Sequence, residues 1–62
     1  MVFDEETTRF IESVCKKMRR VKEYDIFIRE LTDLVDEYGE THGLDENQMD
    51  AIENEILLIL ER

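Results

Sequence analysis

Apolar residues recur along the chain at spacings of three and four, the period of a helix buried on one side. Phe10, Ile11, Val14, Met18 and Val21 share one stripe, while Tyr24, Phe27, Ile28, Leu31, Leu34, Val35 and Tyr38 share a second. At about 100° per residue the two stripes centre roughly 110° apart, so one straight helix would present two different faces along its length. A break at residues 22–25 resolves the conflict and yields three helices of similar length that can fold over one core. The alternative is a two-helix hairpin whose first helix, about 35 residues long, spans roughly 50 Å and leaves half of itself to a partner chain. No glycine or proline interrupts positions 4–38, so the break rests on stripe geometry alone.

End signals place the other boundaries. Asp4 is a suitable N-cap, with Glu5 and Glu6 favourably placed in the first turn for the helix dipole. Gly39 and Gly43 bracket a short polar segment, and Gly39 suits the left-handed position just past a helix end. Asp45 with Gln48 three residues on reads as a capping box, and Leu44 with Met49 as a hydrophobic staple. The expected architecture is all-α: a single domain over 1–62 with helices at about 4–22, 25–38 and 46–61.

The last helix carries more apolar surface than one face needs. Met49, Ile52, Ile56, Ile59 and Leu60 form its inner stripe, Leu57 lies at the margin, and Ala51 and Leu58 point the opposite way. A helix that is apolar on both sides is buried on both sides. It therefore forms the centre of the bundle, an interface with a second copy through Ala51, Leu57 and Leu58, or a docking site for another protein.

Length sharpens that choice. A chain of 62 residues buries only about 60% of its unfolded surface, and domains of this size usually gain stability from disulfides, a metal or oligomerisation. Cys15 is the single cysteine, which excludes an internal disulfide, and neither it nor His42 sits in a metal-ligand spacing. A bundle completed by self-association is the expectation. The acidic start, Met1 to Glu6, lacks the basic-then-apolar pattern of a secretion signal, and no apolar run approaches the ~20 residues of a membrane span. With a lone thiol, this predicts a cytoplasmic protein that does not engage membranes.

Charge adds a polarity that the net value of −9 conceals. Lys16, Lys17, Arg19, Arg20 and Lys22 supply five of the eight basic residues, so the rest of the chain sets three cations against 17 carboxylates. Lys16, Arg19 and Arg20 lie opposite the Val14/Met18/Val21 stripe and form an outward basic patch. It reads either as a small phosphate-binding surface or as the counterpart of the protein's own acidic surface, within the chain or across an oligomer. The surrounding negative field argues against direct nucleic-acid binding. Asp33, Asp36, Glu37 and Glu40 form an acidic face on the middle helix, opposite Leu31, Leu34 and Val35, and only Arg29 stands at i, i+4 to Asp33. Carboxylates four apart rise ~6 Å along a helix axis, near the spacing of strand phosphates. The face is therefore merely solvated, a docking surface for a basic partner, or a nucleic-acid-like charge row.

Catalytic signals are lacking. His42 reads as a solvated loop histidine with no nucleophile to serve, and Cys15 as a half-buried structural residue whose pKa neighbouring lysines could lower. No Glu-x-x-His pair, EF-hand pattern, zinc spacing or phosphate-cradling glycine loop is present. The expectation is a non-enzymatic interaction module without cofactor or metal, a regulator or inhibitor that binds a protein partner. Two alternatives stand beside it: a DNA-mimic inhibitor of a nucleic-acid-binding protein, and an assembly subunit that mainly binds itself.

Overall fold

The computed structural model describes residues 3–61 as three helices packed against one another: α1 (Glu5–Met18), α2 (Tyr24–His42) and α3 (Glu46–Leu60). No strand occurs among the described residues. The break exists, and the long-helix hairpin does not form.

α1 begins as expected. The Asp4 side chain accepts a hydrogen bond of 2.7 Å from the Thr7 amide, with Glu5 and Glu6 in the first turn. The Thr7 hydroxyl and then its amide stabilise the ionised form, holding the Asp4 carboxyl below its ordinary value near 3.8. The helix stops at Met18, four residues earlier than the stripe suggested. The chain turns through 19–23, with the Val21 amide donating to the Met18 carbonyl at 3.0 Å. Stopping there lets Met18, almost completely buried, close the α1 face, while Val21 packs on the core from the connection. α2 then starts at Tyr24 with no side-chain cap on its first turn. Packing of its second stripe, rather than any local stop signal, sets this boundary.

The second correction concerns Gly39. α2 does not end at Tyr38 but runs through Gly39 to His42, and only Gly43 adopts the left-handed conformation, at φ 65°. The Gly43 amide donates to the Glu40 carbonyl and the Leu44 amide to the Gly39 carbonyl at 2.9 Å, the paired bonds of a Schellman motif. Gly39 is helical and buried because α3 crosses it: an added Cβ would lie 2.1 Å from Met49 Sδ and 2.7 Å from Met49 Cγ. Its value lies in the close approach, not in backbone freedom.

α3 opens with the expected capping box. The Gln48 amide donates to Asp45 Oδ1 at 2.8 Å, and the Asp45 amide donates to Gln48 Oε1 at 3.0 Å. Leu44 and Met49 both pack on the core. The buried core comprises Ile11, Val14, Cys15 and Met18 of α1, Leu31 and Val35 of α2, and Ile52 and Ile56 of α3. α3 lies against both other helices, which accounts for much of its apolar surplus: Leu57, Ile59 and Leu60 all pack against that core. Leu58 does not, and is 54% exposed.

Candidate partner-binding surfaces

A small aromatic column ties α1 to the end of α2. Phe10 stacks on Tyr38 with ring centroids 4.0 Å apart, and Tyr38 lies against His42 at 4.2 Å. The Tyr38 and Thr7 hydroxyls are 3.1 Å apart, which satisfies Thr7, the buried polar side chain among the described residues. His42 is thus not a loop residue. It occupies the last turn of α2, and its Nε2 stands 3.4 Å from a Glu6 carboxylate oxygen. The arrangement positions the end of α2 against α1. Cys15 is fully inside the core rather than half-buried, and burial pushes its thiol pKa up, against the lowering that nearby lysines suggested. Among the described residues, no group of three or more His, Cys, Asp or Glu side chains is placed to hold a metal ion.

The surface charges are more informative. Asp33, Asp36, Glu37 and Glu40 are all exposed on the outer side of α2. The i, i+4 geometry allows an Arg29–Asp33 pair, but it does not form; the ion pair among the described residues is Arg9–Glu5 at 2.6 Å, and His42 lies 3.4 Å from Glu6. Packing of α3 beside α2 extends the acidic face in a way the linear pattern did not reveal. Asp36 shares a groove of about 440 Å³ with Glu46, Asp50 and Glu53, where Val35 and Met49 supply apolar lining. Glu46, Asp50 and Glu53 recur on one side of α3 at spacings of four and three, a signal visible in the sequence but overshadowed by the apolar surplus of that helix. The result is seven carboxylates on two adjacent helices, none of them in an ion pair among the described residues.

Lys16, Arg19 and Arg20 are exposed, as are Lys17 and Lys22. None of the five forms an ion pair among the described residues. Of the residues expected at an oligomer interface, Ala51 and Leu57 are half-buried, Leu57 against the core of its own chain, and only Leu58 is openly exposed. No helix among the described residues is long and apolar enough to cross a membrane.

No protein-family model matches the chain, and no curated protein or solved structure matches it.

Proposed function

We propose that the protein is a non-enzymatic interaction module that regulates a protein partner by docking a basic surface on its α2–α3 face. The observation that carries this reading is the exposed row Asp33, Asp36, Glu37 and Glu40 on α2, in which Asp36 shares a groove with Glu46, Asp50 and Glu53 of α3 beside Val35 and Met49. Uncompensated like charges on adjacent helices repel one another, and a cationic partner relieves that repulsion while speeding encounter.

The test uses a synthetic lysine- and arginine-rich peptide as probe. Replacing Asp33 and Asp36 by Asn and Glu37 and Glu40 by Gln weakens its binding at least about tenfold and flattens the salt dependence. A control variant neutralised at Glu12, Glu23, Asp25 and Glu61 changes net charge equally and retains most of the affinity. Equal losses in both variants would reduce the effect to overall charge and refute a defined face. The nucleic-acid-mimic form of the reading makes a narrower demand, that DNA compete with this protein for the same partner.

Self-association through the back of α3 is a second reading, favoured by the exposure of Leu58. Leu58→Glu lowers the mass measured by light scattering if a second copy covers that residue. An unchanged mass and an unchanged melting temperature dispose of the interface.

A further inference from the structure

One end of the bundle differs in character from the acidic face. Where α1 ends, α2 begins and α3 ends, the three elements enclose an open groove of about 480 Å³, within the usual range of about 300–1,000 Å³ for ligand pockets. Its apolar lining comes from Met18, Val21, Tyr24, Phe27, Leu57 and Leu60. Tyr24 is 73% exposed, and the other exposed large hydrophobics, Ile26 and Leu58, fall in the first turn of α2 and the last turns of α3, at the same end of the bundle. An exposed tyrosine beside a contiguous apolar floor marks an interaction site more than scattered apolar side chains do.

The polar lining is mainly basic. Arg19 and Lys22 border the groove together with Glu61, and Lys16, Lys17 and Arg20 line a neighbouring depression on the last turns of α1. None of the five cations has an ion-pair partner among the described residues, although the chain carries 17 carboxylates. Apolar floor, exposed tyrosine and unpaired cations together describe a receptor for a chain segment that carries both bulky apolar side chains and carboxylates.

We infer that this groove docks an acidic amphipathic segment of another protein. One or two bulky apolar side chains of that segment enter between Phe27, Leu57 and Leu60, and its carboxylates meet Arg19 and Lys22, with Lys16 and Arg20 extending the same field. Charge complementarity selects the occupant. A second copy is the competing occupant, and the dependence of the groove shifts on protein concentration separates it. The groove and the α2–α3 face are separate surfaces of opposite sign, which makes the molecule a two-sided adaptor.

The probe is a synthetic peptide of about 15 residues with Leu and Phe on one helical face and Glu on the other, titrated into the full chain and followed by amide NMR shifts. Shifts concentrate on residues 18–27 and 57–61. A version with every Glu replaced by Lys binds the groove at least about tenfold more weakly, and so does the acidic peptide on an Arg19→Glu, Lys22→Glu variant. Both substitutions are at exposed positions, and Tyr24→Ser, also exposed, supplies an independent loss without a change of charge. The inference is overturned by equal affinity for both peptides, by no groove shifts at about 1 mM peptide, or by groove shifts that appear with protein concentration alone as the mass doubles. Binding of the lysine peptide to the α2–α3 face leaves the groove result intact, so the two surfaces succeed or fail separately.

Discussion

Ile56→Ala is expected to remove most of the stability of the fold. Ile56 is completely buried, at 0% exposure, on the helix that packs against both others. Truncating a buried isoleucine to alanine costs about 2–5 kcal/mol, through lost transfer energy and the cavity left behind. At about 0.05–0.15 kcal/mol per residue, a chain of 62 residues holds roughly 3–9 kcal/mol in total. The loss is thus comparable with the whole. Urea unfolding followed by circular dichroism should show the midpoint collapsing toward zero denaturant, with a slope unchanged wherever a transition remains measurable. Ile56→Val is the graded companion, at about 1 kcal/mol. Leu58→Ala is the contrast: at an exposed site in a monomer it changes stability by no more than about 0.5 kcal/mol. If Ile56→Ala cost no more than that, the centre of the core would lie elsewhere.

Gly39→Leu carries the second largest effect, for the opposite reason. The helices approach so closely there that the first carbon of any side chain meets Met49 at 2.1 Å from Sδ and 2.7 Å from Cγ. An alanine forces Met49 to swing aside, a strain partly offset by the gain of about 1 kcal/mol in helix propensity over glycine. A leucine has no such escape, because its branch must part α2 from α3. Overpacking of this kind costs about 3 kcal/mol at its upper end, readable as a lower melting temperature. A double-mutant cycle identifies the cause. Combined with Met49→Ala, Gly39→Ala becomes less harmful than in the parent chain, giving a coupling of about 1 kcal/mol or more. Additive effects would show that Met49 does not set the limit. A sequence-local view expects the reverse ranking, since replacing a mid-helix glycine normally stabilises.

The same glycine shows where sequence reading reached its limit. Gly39 and Gly43 both satisfy the local rule for ending a helix, and either would have served at 39 or 43. The choice fell to Met49, which needs the smooth helical surface of Gly39 beneath it. The α1 boundary has a similar origin. Two stripes about 110° apart demand a break, but the turn at 19–23 contains no breaker residue, and its position follows from where Met18 and Val21 reach the core. His42 moved from loop to helix end with the same shift of the α2 terminus, and so came beside Tyr38 and Glu6.

The candidate surfaces divide along the same line. The outer faces of single helices were legible, because the spacing of Asp33, Asp36, Glu37 and Glu40, or of Lys16, Arg19 and Arg20, places them within one element. The joining of Asp36 to Glu46, Asp50 and Glu53 was not, and neither was the groove between Tyr24 and Leu60. Those depend on which flank of one helix meets which flank of the next.

By itself, then, the sequence determined what short-range physics controls: helical periodicity, the Asp4 cap, the Asp45–Gln48 capping box, the need for a bend and the polarity of charge. The caps depend on residues within about four positions of one another, and the bend and the charge polarity on helical periodicity followed along the chain, where backbone geometry leaves little choice. Only tertiary structure decided which glycine ends α2, which apolar residues of α3 are covered and which carboxylates share a surface. Those outcomes belong to contacts between helices, and close packing settles them because two side chains cannot occupy one volume.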